Sequence, residues 1–252
     1  THEILSFEKE ANKKDNSFWD AIRPVPLTVE ESTDYVKKDI LQTKKKSKVY
    51  LDSIDKKGNK FKVFDIISGY TYKNSFKKYS ASYDGFFKGI SFNTVQGWKI
   101  KTGLSFTKRD EDTRTYTRIS TDFDCGISEK KIRGTANFTH KFNNTNQSEI
   151  RISAGSSAVQ FNSSNPISPL LNSVSTLFFK NNFMKLYEKN FADVSFGREV
   201  INGIFLNGNV DYSERKPLFN TTDQTIIKKD TLYTSNNPLA PDDYVTPIFA
   251  KH

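Results

Sequence analysis

The chain has 252 residues and a net charge of +9, from 38 Lys and Arg against 29 Asp and Glu. Hydrophobic residues are only 35%, although Phe numbers 21 and Tyr 11. Mean hydropathy is −0.63, and no apolar run approaches the roughly 20 residues of a spanning helix, which excludes a helical membrane protein.

A lone cysteine, Cys125, excludes an internal disulfide framework and a Cys-based metal site. The basic residues are spread along alternating segments and no nucleic-acid motif accompanies them. This argues against nucleic acid and leaves an anionic partner, such as lipopolysaccharide or an acidic solute, as the sharper reading of the charge.

In chain order, HEILSFEKEANKKD (2–15) has no apolar core of a signal peptide. The chain is therefore expected to be a matured or internal piece of something longer. SFWDAIRPVPL (17–27) carries two prolines that oppose helix locally. TVEE (28–31) has the capping-box pattern, which predicts a helix over about 29–45 with a lysine-rich end. Residues 1–60 thus read as a partly helical, water-facing lead-in, and 61–252 as the β region.

From about residue 60 the period becomes two. YSASYDGFF (79–87) alternates. In WKIKTGLSF (98–106), Ile100 and Leu104 oppose Lys99 and Lys101. TRTYTRISTDFDC (113–125) sets Ile119 and Phe123 against Arg114 and Arg118. IRGTANFTHKF (132–142) sets Ile132 and Phe138 against Arg133 and Lys141. SEIRISAGSSAV (148–159) sets Ile150 and Ile152 against Arg151. Short polar turns join these runs, so they predict an antiparallel up-and-down meander. At 9 to 13 residues they are nearer the 9–11 of a tilted transmembrane strand than the 5–6 usual in soluble domains.

Past residue 160, LLNSVSTLFFKNNFMKLYEK (170–189) reads as one helix with Leu170, Val174, Leu177, Phe178 and Met184 roughly on one side. FADVSFG (191–197) and GIFLNGNVDYS (203–213) read as strands around a turn at REVIN. The tail from 214 reads as a long polar loop.

No catalytic set emerges. His2 and His252 are terminal, and His140 lies on the apolar side of its strand, opposite to Asp122 and Asp124 on theirs. HExxH, P-loop, GxSxG and dinucleotide fingerprints do not occur. No catalytic residue, metal ligand or cofactor is assigned.

Several longer stretches carry a resemblance: FWDAIRPVPLTVEE (18–31), SFNTVQGW (91–98), FTHKFNN (138–144), NPISPLLNSVSTLFF (165–179), FMKLYEKNFADVSFG (183–197), ERKPLFN (214–220) and SNNPLAPDDY (235–244). Over about 18–249 the chain resembles a poorly characterised Bacteroidota family. Its members pair an N-terminal carboxypeptidase-like regulatory domain with a long region of unknown function. The resemblance implies a β-barrel of the Gram-negative outer membrane and no peptidase activity, since that regulatory domain is a non-catalytic β-sandwich.

The combined expectation is an all-β fold: an antiparallel meander forming part of a transmembrane β-barrel, with a periplasmic helical lead-in. Arg114, Arg118, Arg133, Lys141 and Arg151 are expected to face a wet lumen. Ile100, Leu104, Ile132, Phe138, Ile150 and Ile152 are expected to face lipid. Expected partners are outer-membrane lipid, lipopolysaccharide and other outer-membrane or periplasmic proteins, and the expected role is envelope transport or assembly of outer-membrane or surface proteins, without catalysis. Two alternatives stay open: a soluble or surface-anchored β-sandwich that binds glycan or protein, and a barrel hydrolase.

Overall fold

The computed structural model describes residues 16–239. His2, His252, the leading stretch to residue 15 and the tail beyond 239 lie outside the described residues. The chain divides into two compact units, one ending at Gly58 and including 74–77, the other formed by 59–73 and the chain from Lys78 on.

In the first unit, α1 (Asn16–Ile22) ends just ahead of Arg23 and Pro24. The helix α2 (Val29–Lys46) starts on the expected capping box. The Thr28 hydroxyl accepts from the Glu31 amide at 3.2 Å, and the Glu31 carboxylate accepts from the Thr28 amide at 2.9 Å. Three lysines, Lys44, Lys45 and Lys46, close its last turn, where the helix dipole favours cations. After α3 (Lys48–Gly58), the Asp55 carboxylate accepts from the Ser75 amide and hydroxyl at 2.6 and 2.7 Å.

In the second unit, a short helix α4 (Asp65–Ser68) leads into a mostly antiparallel sheet of nine strands. These are β1 (Tyr70–Asn74), β2 (Tyr79–Tyr83), β3 (Ser91–Asn93), β4 (Gly97–Asp110), β5 (Thr115–Gly126), β6 (Lys131–Lys141), β7 (Glu149–Gln160), β8 (Leu186–Ile201) and β9 (Ile204–Pro217). They pair in the order β1-β2-β4-β5-β6-β7-β8-β9, with β3 folded back on the start of β4. This is the expected meander. The sheet is not closed: β1 and β9 are its edges, and β9 is exposed along nearly all its length.

The registers place like with like. Phe106, Ile119, Phe138, Ile152, Val194 and Val210 form one continuous cross-strand row. Its counterpart on the other face runs Ser105, Ser120, Asn137, Ser153, Asp193 and Asp211.

Three expectations need correction. The single helix over 170–189 is α5 (Pro169–Phe179) alone. Lys180 turns left-handed at φ 58, its amide reaching back to the Ser175 and Thr176 carbonyls, and that stops the helix. LYEK then opens β8, which runs 16 residues through most of the predicted REVIN turn, so that only Asn202 and Gly203 separate it from β9. The strand expected over 79–87 ends at Tyr83 and gives way to a 3-10 turn at Phe87–Gly89.

Burial is inverted relative to an ordinary globular domain. Most large residues of the apolar face are exposed, Leu104 to 52% and Ile132 to 72%, while the deepest residues are mostly polar. The small buried cluster of Val95, Met184 and Leu186 sits among fully enclosed Asn93, Thr94, Gln96 and Asn172.

Candidate functional site

The sheet carries three groupings of polar side chains, one at each end and one between. At the end where the β7–β8 connection crosses, a knot of side-chain amides and hydroxyls joins segments far apart in sequence. Asn172 on α5 uses all its hydrogen-bonding capacity. Its oxygen accepts from the Phe183 and Met184 amides at 3.2 and 3.0 Å, and its nitrogen donates to the Phe92 carbonyl at 3.5 Å and Asn182 Oδ1 at 3.3 Å. Asn182 donates to Thr94 Oγ1 at 2.6 Å, and Thr94 donates to Asn220 at 2.6 Å. The Asn93 oxygen pins the tight turn by accepting from the Val95 and Gln96 amides. Asn236 grips both the amide and the carbonyl of Leu186. Tyr233, buried beside α5, has its hydroxyl 2.9 Å from the Thr176 carbonyl and 2.8 Å from that of Gln224, and burial pushes its pKa up to about 12. Such a network is costly unless every member is paired, and once paired it holds its parts in one arrangement.

Next to the knot lies an ion cluster. Arg133 is 1% exposed, and its guanidinium forks onto Glu129 in the β5–β6 turn at 2.7 and 2.5 Å. Glu188 on β8 receives Lys131 at 2.7 Å and the Ser156 hydroxyl at 3.0 Å. Thr135 opposite Gly155 is the last register pair between β6 and β7 on this side, whereas β7 and β8 stay paired to Gln160 opposite Leu186. A Cβ on Gly155, whose φ is 147°, would lie 2.3 Å from the Gly134 carbonyl oxygen. Glycine is what permits this close crossing. Gln96 joins knot and ion cluster by donating at 3.1 Å to Asp124, which lies opposite Arg133 in the β5–β6 register.

The other end of the face, by the short turns, carries Arg109, Arg118, Lys141 and Arg151 around Tyr116. The middle of the face is Ser, Asn and Asp, with a Lys101–Asp122 pair at 3.1 Å.

The expected water-facing residues therefore have different fates. Arg118, Lys141 and Arg151 share the polar face at the turn end. Arg133 is on that face at the opposite end and is enclosed. Arg114 lies in the β4–β5 turn with φ 53, one residue before β5. Of the expected lipid-facing residues, Ile100, Leu104, Ile132 and Ile152 are exposed, and Phe138 and Ile150 half-buried. Sequence reasoning missed Glu129, Glu188, Asn172, Asn182 and Arg109. The stretches NPISPLLNSVSTLFF and FMKLYEKNFADVSFG contain two of them, Asn172 and Glu188, and with SFNTVQGW they run through the knot or its border.

His140 Nδ1 lies 2.8 Å from the Thr117 hydroxyl, with its ring stacked beside Phe138 and Phe142. No group of three or more His, Cys, Asp or Glu is placed to hold a metal ion among the described residues. No helix among them is long and apolar enough to cross a membrane.

Residues 64–252 match the family described as "Family of unknown function (DUF5686) C-terminal domain". No curated protein and no solved structure matches the chain.

Proposed function

Since the chain belongs to this family of unknown function, we propose, from the geometry and from the Bacteroidota resemblance of its motifs, that the meander is part of an outer-membrane β-barrel. In this reading its Ile, Leu, Phe and Val rows lie against lipid and its polar face against water. The protein acts without catalysis, in envelope transport or in assembling outer-membrane or surface proteins beside other proteins of the envelope, and its lead-in helices are periplasmic.

The inverted burial carries the proposal. A water-soluble protein rarely leaves a contiguous apolar face of this extent uncovered while enclosing an arginine and a set of asparagines. A barrel in lipid needs that distribution, with apolar side chains outward and polar ones inward. Strand length agrees: β4 through β9 run 11 to 16 residues, enough to span a bilayer at a tilt. A soluble sandwich would need a second layer over Leu104, Ile152 and Val194, and the described residues of this unit form one sheet.

Fractionation of the host cell, followed by a high-salt and carbonate wash, tests the proposal. Retention in the outer-membrane fraction until detergent is added is the expected result. Recovery in the soluble periplasm, folded without detergent, would overturn it.

A further inference from the structure

We propose that Arg109, Arg118 and Arg151 form a binding site for a doubly charged phosphoryl group on the polar face, at the end of the sheet bearing the short turns. Thr107, Arg118, Thr139 and Arg151 occupy one cross-strand row, and Arg109 and Tyr116 belong to the next row toward the turns. These six residues line a depression of about 360 Å³, which is room for a phosphate ester or pyrophosphate and not just a single ion.

One of the three arginines is anchored, and among the described residues the guanidinium groups keep unpaired nitrogens. Glu149 takes Arg151 Nε at 2.5 Å and the Tyr116 hydroxyl at 2.6 Å, so one carboxylate fixes both. The terminal nitrogens of Arg151 have no partner among the described residues, nor do the guanidiniums of Arg109 and Arg118. Lys141 is occupied by Asn144 at 2.9 Å. Four cations thus face one carboxylate at this end of the sheet. Strands repeat every ~4.8 Å, so Arg118 and Arg151, two strands apart, stand ~10 Å apart at the backbone. Their long side chains can close on one group from both sides. A carboxylate fills a single guanidinium fork, whereas a phosphoryl dianion offers enough oxygens for three arginines and the Thr107 and Thr139 hydroxyls. The depression opens on the water-bearing face, so the ligand class is a soluble phosphorylated solute. The site uses only the polar face, so it does not depend on what covers the apolar one.

Titration calorimetry of the whole protein in mild detergent with pyrophosphate tests the assignment. Saturable binding is expected, weakened about tenfold by each of Arg118→Gln and Arg151→Gln, as for loss of one charge-assisted contact. Arg114→Gln, in the turn at the same end of the sheet, should leave it unchanged. Absence of saturable binding to the unmodified protein overturns the proposal, as does an equal loss in Arg114→Gln, which would reduce the effect to general positive charge. Vesicles containing phosphatidic acid, a phosphomonoester lipid, form the second arm. If they, and not pyrophosphate, compete through Arg118 and Arg151, the source is a lipid headgroup and the soluble-solute assignment fails. Outer-membrane fractionation reads the apolar face separately, so either result stands without the other.

Discussion

Arg133 on β6 and Glu188 on β8 meet across the intervening strand β7, with Arg133 Nε 3.4 Å from Glu188 Oε1. The contact forms where β6 and β7 have ceased to pair, so these side chains tie together strands that the backbone no longer joins directly. Arg133 also serves Glu129, so one guanidinium answers two nearly enclosed carboxylates. Arg133→Met should destabilise by about 3–5 kcal/mol, because it removes the cation paired with Glu129 and leaves Glu188 with Lys131 alone. Arg133→Lys should recover little, since a point charge cannot make the two-pronged contact. Urea unfolding in detergent micelles, followed by Trp98 fluorescence, gives the number. A loss under ~1 kcal/mol, the range of an ordinary surface change, would show the cluster to be dispensable.

Gly155 sits at the same crossing. Any side chain there meets the backbone of β6 and must also adopt a φ that L residues avoid. Gly155→Ala should therefore lower the yield of folded protein sharply and cost about 1–3 kcal/mol or more. Gly208→Ala, where an added methyl meets nothing within 4 Å, should be neutral. Refolding yields of the two variants side by side make the comparison, and equal yields would mean that the crossing is not tight.

Much of the sheet was legible because period-two alternation is local. Lys99 to Phe106, or Ile132 to Phe142, fix their own faces, and short polar turns between them leave little but antiparallel pairing. The knot was not legible, because its partners are remote. Asn182 and Thr94 are 88 positions apart, and an Asn in a loop gives no local sign of what it will bond. Lys180 misled for another reason. Helix propensity favours lysine, and the left-handed turn is held by tertiary partners, Asp223 at 3.0 Å and the Tyr233 ring beneath its ammonium. Likewise, Glu188 in LYEK looked helical until β8 paired along it.

Lys185, just ahead of β8, donates to the Thr234 hydroxyl and the Ser235 carbonyl at 2.7 and 2.6 Å, and among the described residues it has no anionic partner. Burial lowers its pKa from 10.5 to about 8. The folded state thus disfavours the ammonium. Below pH 8 both states hold the proton and the penalty is complete. Between about 8 and 10.5 the unfolded chain holds more protons, so this group makes stability rise with pH. Comparing unfolding midpoints from pH 7 to 10.5 for the unmodified protein and Lys185→Met isolates the effect. The unmodified protein should gain relative to the variant across that window, and parallel curves would rule the linkage out.

Leu104 offers the sharpest test of what covers the apolar rows. It sits near the middle of β4, in register with Thr121 and Tyr83 on either side, and over half of its surface is open. On a face bathed in water, Leu104→Arg would shift stability by no more than about 0.5 kcal/mol, as exposed substitutions do. Against lipid the same arginine costs about 2–4 kcal/mol near the midplane and progressively less toward the interfaces. Ile132→Arg, at the knot end of the same face, should therefore cost less than Leu104→Arg. Urea titration of both variants folded into phosphatidylcholine vesicles measures the two costs. A depth-dependent penalty is what lipid contact requires, and two values near zero would place water on that face and leave the inverted burial needing a protein partner to explain it.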